Sequence, residues 1–249
     1  MMTWSENDIF FYYLGLKYSD YPKKIWERIK KENRDFTSIL DVGCGPGIFS
    51  LIAIEDNYKV QAVDINKNHL DALLNKSPKK ENLTLIYSDW IDAAVEKADI
   101  TICAYSLSGS ISTQQGINKI IDNSKQAAYF ISFVNPEKTD FLTAELFKKL
   151  SIAPKSYPSS NDNLEFLFNC SNDDVRIEKI NYDFGIPYFD DIPSEKYIEF
   201  ISKKTGIDDT ELLKNHLENI VIERNGLRWL PNPKESLFIT WKSRNEKVS

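Results

Sequence analysis

Apolar positions along this chain alternate between two rhythms. Ile39, Leu40 and Val42 form a short run rich in β-branched residues, and Ile48, Leu51, Ile52 and Ile54 follow at helical spacing. The same change of period recurs downstream. Val60, Ala62 and Val63 predict a strand ending at Asp64, with a helix over 67–75. Leu83, Leu85 and Ile86 predict a third strand, closed by Ser88-Asp89-Trp90. Residues 92–97 read as one or two helical turns. Ile100, Ile102 and Ala104 predict a fourth strand and 127–134 a fifth, with a helix over 113–123 between them. Strands alternating with helices in this way predict an α/β protein built on a parallel sheet with helices on both faces. Right-handed crossovers then bring the strand C-termini to one edge.

The flanks follow a different pattern. Trp4, Phe10, Phe11, Tyr12, Tyr13 and Tyr18 crowd the first twenty residues, which predicts an aromatic helical segment. Tyr21-Pro22 opens a second helix reaching about Asn33. After residue 138 the pattern predicts a helix over 139–150, a loop through Pro154 and Pro158, and a further helix over 164–170. A strand over 175–184 is interrupted by Ile186-Pro187-Tyr188-Phe189. Two helices follow, near 194–204 and 209–224, with Thr205-Gly206 and Asn225-Gly226 as their terminators. Ser236–Trp241 is the final strand.

Composition narrows the reading. The chain has 249 residues, enough for one large domain with an insertion, and is 42% hydrophobic. Its net charge of −6 argues against a nucleic-acid partner. No apolar run is long enough to span a membrane, and the N-terminus lacks the basic-then-apolar order of a signal peptide. Cys44, Cys103 and Cys170 are dispersed and form neither a disulfide framework nor a zinc motif. With only His69 and His216, a histidine-rich metal centre is not expected, which leaves a carboxylate-bound Mg²⁺ as the open alternative to no metal, and a cytoplasmic location is expected.

The chemistry gathers around Asp41-Val42-Gly43-Cys44-Gly45-Pro46-Gly47, a strand end, a glycine turn and a helix start. Glycines there permit positive φ and bring backbone against a ligand, while the free N–H groups of the next helix face it. A nicotinamide fingerprint requires G-x-G-x-x-G, but counting from Gly43 the third glycine falls on Ile48. The spacing is G-x-G-x-G after an aspartate, and it closely resembles the first motif of the class I S-adenosylmethionine-dependent methyltransferases. Three further positions match that family in order and spacing. Asp64 closes the second strand, where a carboxylate accepts from a ribose diol, although a helix N-cap is the alternative role. Asp89 stands where the family often accepts from the adenine amino group, with Trp90 to pack on the ring. The Ala104-Tyr105 strand tip is where the family presents methyl group and acceptor.

The resemblance implies a Rossmann-like methyltransferase fold, with a seven-stranded, mostly parallel sheet and an antiparallel last strand. It divides the chain into an N-terminal helical lid (1–35), an S-adenosylmethionine-binding domain (36–185 and 234–243) and a helical cap insertion (186–233). The implied cofactor residues are Asp41, Gly43, Cys44, Gly45, Gly47, Asp64, Ile65, Asp89, Trp90, Ala104 and Tyr105, and the by-product is S-adenosylhomocysteine. Tyr12, Tyr13, Ser108 and Tyr188 are candidate acceptor contacts. Tyr105, Ser106 and His216 are candidate catalytic groups. His69 reads as a solvent-face residue, and Cys44 and Cys103 as packing. Asp190 and Asp191 could draw a cationic acceptor, or simply start a helix.

The leading reading is methyl transfer to a small molecule. The alternatives are a cofactor-binding subunit without catalysis, or a methyltransferase acting on protein or RNA. The D/N-P-P-Y/F/W tetrapeptide of nucleobase- and amide-methylating members is absent at the fourth strand tip.

Overall fold

The computed structural model describes residues 4–33, 35–157 and 174–243, so the helix expected over 164–170 lies outside the described residues. The backbone separates into two compact units. One comprises residues 22–134, 158–180 and 236–249, and the other 1–21, 135–157 and 181–235.

The sheet unit holds β1 (Ser38–Val42), β2 (Lys59–Asp64), β3 (Leu83–Tyr87), β4 (Ala98–Ala104) and β5 (Ser124–Phe133). The seven-stranded order is β3-β2-β1-β4-β5-β10-β6, where β6 is Asp174–Asp183 and β10 is Pro233–Lys242. β1 pairs in parallel with β2 and β4, whereas β10 runs antiparallel to β5. The Rossmann-like sheet with its antiparallel last strand therefore forms as expected. The chain reverses its direction of travel across the sheet between β1 and β4, and ligands of open α/β sheets bind at such a switch point.

Helices α3 (Ile48–Glu55), α4 (Lys67–Lys76) and α5 (Gln114–Asp122) connect the parallel strands. Leu40, Val42, Val63, Cys103, Phe130 and Ile239 are fully buried between them. Burial on this scale is worth roughly 25 cal/mol per Å² of apolar surface removed from water, which sets the register of each strand.

Helix α2 (Tyr21–Glu32) belongs almost wholly to this unit rather than to an N-terminal lid. Ile25, Trp26 and Ile29 are buried, and the Trp26 indole N–H donates to Asp56 Oδ2 at 2.7 Å. Residues 92–97 form the end of a turn and an irregular segment instead of helical turns. The carbonyls that a helix would use are already taken. Lys119 Nζ donates to those of Trp90, Ile91 and Ala93, and Gln61 exchanges two 2.9 Å hydrogen bonds with the backbone of Glu96.

The helical unit contains α1 (Glu6–Tyr18), α6 (Ala144–Leu150), α7 (Ser194–Thr205) and α8 (Thr210–Ile220). Ser5 and Asp8 form a capping box that starts α1. The helix expected from 139 begins only at Ala144. Phe141 and Leu142 take positive φ, and the Phe141 N–H is held by Asn232 Oδ1 at 2.9 Å.

The unit also contains a three-stranded antiparallel sheet that the sequence pattern had not suggested. Its strands are β7 (Ile186–Pro187), β8 (Ile222–Arg224) and β9 (Leu227–Leu230), in the order β7-β9-β8. Asn225-Gly226 is the turn of the β8–β9 hairpin and not a helix terminator. Both residues have positive φ, as a type I′ turn requires. Phe11, Phe141, Tyr197, Phe200, Ile201, Leu213 and Leu230 make the core of this unit.

Candidate active site

The site is built on the adjoining C-terminal ends of β1, β2 and β3. β1 ends in Gly43, whose φ of 66° turns the chain sharply. A Cβ on Gly43 would lie 2.4 Å from the Cβ of Ser106, so no larger residue fits. The Gly43 and Cys44 N–H groups donate to the Val63 carbonyl at 2.9 and 3.0 Å, which locks the turn to β2. Gly47, also left-handed, is the N-cap of α3. Gly45 differs from both: it too has positive φ, yet a Cβ there would meet nothing within 4 Å. It marks an open cradle of bare backbone beside the strand tips.

Asp64 faces that cradle. One carboxylate oxygen accepts from the Gly45 N–H at 2.8 Å, and the other from the Asn66 N–H at 2.7 Å. The helix N-cap role falls instead to Asn66, whose side chain accepts from the Asn68 N–H at 3.0 Å. Asp64 is thus held in place at the strand end without being used to start α4. Ile65 beside it is 45% exposed, an apolar side chain presented at the tip. His69 is not on the solvent face as its position suggested. Its Nδ1 lies 3.3 Å from Asp64 Oδ1, because the first turn of α4 points back at the strand it follows. A histidine five residues after a strand-end aspartate was the available signal.

Asp41 lies deeper, 2% exposed, and accepts from the Ser50 N–H at 3.1 Å and hydroxyl at 2.7 Å. Burial raises its pKa to about 6, against the Ser50 hydrogen bonds, and the charge of Asp64 adds to the rise. Asp41 therefore braces the turn from below by tying β1 to α3.

At the β3 end, Asp89 is half-buried, and its carboxylate accepts from the Ile91 N–H at 3.0 Å. Trp90 does not offer its ring to a ligand in this conformation. It is 2% exposed, its indole N–H donates to the Gly116 carbonyl at 2.8 Å, and the Lys119 ammonium sits 4.7 Å from its ring centre. The indole supports the loop from inside the core.

Beyond β4, Tyr105 adopts a left-handed φ of 55°, a strained conformation for a residue with a side chain. Its ring packs at a tilt of 35° on Phe133 with centroids 4.4 Å apart, and its hydroxyl lies 2.7 Å from Ser236 Oγ. Ala104, directly before it, is half-buried. The Ser106 hydroxyl donates to the Val42 carbonyl at 2.8 Å, a bond that joins β4 to β1. Ser108 is exposed. Cys44 and Cys103 are buried thiols. Burial pushes Cys44 well up and Cys103 up to about 12, so neither is a thiolate nucleophile.

The remaining candidates are in the helical unit. Tyr12 packs edge-on against Trp4 at 5.2 Å and lines a cavity there; Tyr13 does not line it. Tyr188 packs on Tyr197 at 4.7 Å, with the Arg228 guanidinium 4.8 Å from its ring centre. Asp190 is ion-paired with Arg228. His216 Nε2 lies 2.8 Å from the Phe141 carbonyl oxygen and donates to it, which secures the left-handed turn before α6. Among the described residues, no group of three or more His, Cys, Asp and Glu is placed to hold a metal ion, and no helix is long and apolar enough to cross a membrane.

A parallel sheet with a switch point at a glycine cradle, a carboxylate on the next strand end and an antiparallel closing strand is the Rossmann-like arrangement of methyltransferases. The family model described as "Methyltransferase domain" matches residues 33–194, and the chain belongs to that family.

Among solved structures, magnesium protoporphyrin IX methyltransferase from Synechocystis PCC 6803 with bound S-adenosylhomocysteine superposes with a TM-score of 0.51 at 12% identity. That match covers 98% of this chain and 89% of that one. The YcgJ protein of Bacillus subtilis superposes with a TM-score of 0.53 at 16% identity, covering 90% of this chain and 99% of that one. These likenesses concern the fold. A curated relative, ribosomal RNA small subunit methyltransferase A of Mesomycoplasma hyopneumoniae (strain 232), is 30% identical over 135 residues. The match spans 53% of this chain and half the length of that relative.

Proposed function

We propose that this protein binds S-adenosylmethionine at the β1–β3 tips and transfers its methyl group to a small-molecule acceptor. The observation that carries the reading is the pairing of Asp64 with the open Gly45 cradle. The carboxylate is fixed by two backbone N–H groups and has His69 Nδ1 3.3 Å from Oδ1, yet a carboxylate has about four lone-pair sites, so it retains capacity to accept from a ribose hydroxyl. Gly43, Cys44, Gly45 and Gly47 would lie against the cofactor as backbone. Asp89 would accept from the adenine amino group, and the exposed Ile65 would pack on the ring. Ala104 and Tyr105 would close the β4 side.

The cofactor supplies a methyl group already activated on a sulfonium. The chain's own residues need only orient the two partners and exclude water. Such positioning is worth roughly 7–11 kcal/mol in well-placed pairs. A hydroxyl or ammonium acceptor also needs a base. Ser106 and His216 hydrogen-bond to backbone carbonyls, whereas the Tyr105 hydroxyl meets the Ser236 hydroxyl, which can exchange donor and acceptor roles with it; Tyr105 is the candidate we favour of the three.

Isothermal titration with S-adenosylmethionine and S-adenosylhomocysteine tests the cofactor. The expected result is one site for each; binding of neither, with NAD bound instead, overturns it. A second reading, an RNA acceptor, is favoured by the likeness to the ribosomal RNA methyltransferase. The net charge of −6 weighs against it. Incubation of the enzyme with methyl-labelled cofactor and cell extract separates the two. Label in the acid-soluble, nuclease-resistant fraction supports a small molecule, and ribonuclease-sensitive label overturns it.

A further inference from the structure

A cavity of about 220 Å³ lies within the helical unit, apart from any residue assigned to the cofactor. Its walls are aromatic: Phe11 from α1, Phe141 from the turn before α6, Phe184 after β6 and Phe200 from α7. Three lysines, Lys138, Lys203 and Lys204, and two aspartates, Asp8 and Asp140, also line it.

Two of these lysines have carboxylate partners. Lys203 is bonded to Asp8. Lys204 lies 3.7 Å from Asp140, but that carboxylate is already served by Lys234 at 2.8 Å, by the Tyr157 hydroxyl and by Asn232. Lys138 has no hydrogen-bonded or ion-paired partner of its ammonium among the described residues. It lies over the Tyr157 ring, 5.3 Å from the centroid. Burial lowers its pKa; Asp140 opposes the fall, and the like charges of Lys204 and Lys155 add to it. Once the Lys203–Asp8 pair is set aside, Lys138, Lys204 and Lys234 share the single carboxylate of Asp140. That is a formal excess of two positive charges, in a chain whose net charge is −6.

Such an excess beside an apolar cavity is destabilising unless an anion meets it. We propose that this cavity binds a small organic anion, whose planar apolar body packs among the four phenylalanines and whose carboxylate, sulfonate or phosphate end meets Lys138 and Lys204. Identifying that anion as the methyl acceptor rests on the function proposed above; the binding site itself does not.

The probe pair is 1-anilinonaphthalene-8-sulfonate and its uncharged counterpart N-phenyl-1-naphthylamine, titrated by fluorescence into the full chain. The sulfonate is expected to saturate one site and to bind about tenfold tighter than the neutral ring, the scale of one charge-assisted hydrogen bond. Lys138→Gln should weaken the sulfonate by about fivefold or more and leave the neutral probe within about twofold. Lys138→Arg, which keeps the charge, should restore sulfonate binding. Far-UV circular dichroism confirms that each variant folds. Equal affinity for the two probes, or sulfonate affinity unchanged in Lys138→Gln, overturns the proposal. Sulfonate binding in a protein that fails to bind S-adenosylmethionine would leave this site standing and remove the methyltransferase reading.

Discussion

Each unit buries one aspartate almost completely, and the two are held in opposite ways. Asp41 in the sheet unit is 2% exposed and meets only a hydroxyl and an amide of Ser50, so burial dominates and its pKa rises to about 6. Asp140 in the helical unit is 1% exposed, but Lys204 and Lys234 overcome the same burial and hold its carboxyl well below the usual range. A buried carboxylate is thus not one physical situation. The neutral partners of Asp41 tolerate its proton, whereas the cations around Asp140 require its charge.

Removing the charge should separate the two most sharply. Asp140→Ala strands Lys204 and Lys234 without their carboxylate, and is expected to cost about 3–5 kcal/mol in chemical denaturation. Asp41→Asn keeps an acceptor for Ser50 and should leave stability at pH 7.5 unchanged or raised. Equal losses in the two variants would break the comparison.

The pH dependence sharpens it further. The raised pKa of Asp41 means that its protonated form is favoured by folding. Its contribution is full below the unfolded value of about 4 and is lost as pH rises through about 6. From 3.8 to about 6, at about 1.4 kcal/mol per tenfold, the loss is at most about 3 kcal/mol, read as the difference between wild type and Asp41→Asn. Asp140 has the opposite sign. Its contribution is present above about pH 4 and is lost as the pH falls below that value. Thermal melts from pH 2.5 to 7.5 measure both.

Asp64, at the β2 tip of the sheet unit, should act on binding more than on folding. Asp64→Ala is expected to weaken S-adenosylmethionine by roughly 1–3 kcal/mol in calorimetry, and unchanged affinity would remove its role at the ribose. The smallest effect belongs to His216→Gln, which alters one hydrogen bond to the Phe141 carbonyl. A loss of about 0.5–1.5 kcal/mol in denaturant midpoint analysis is expected.

The two units were also unequally legible. In the sheet unit each strand, its following helix and its strand-end aspartate lie close together in sequence, so period and turn chemistry located β1 to β5 within a few residues. The exceptions have particular causes. The 92–97 helix gave way to side chains from Gln61 and Lys119, and Trp90 turned inward to donate to Gly116. In the helical unit, Ile186-Pro187 becomes a strand only because Trp229 and Leu230 pair with it. Asn225-Gly226 ends a helix or turns a hairpin depending on what its flanks find.

The sequence alone determined the α/β class, the glycine turn and the line of aspartates at its strand ends, since each depends on residues within a few positions of one another and on the conformations that glycine permits. Only the tertiary structure decided how the lysines were used. Lys138, Lys204 and Lys234 belong to separate segments. Folding brings them to one carboxylate, with Lys138 and Lys204 on one aromatic cavity, and the electrostatics of that cluster depend on distances that no local pattern encodes.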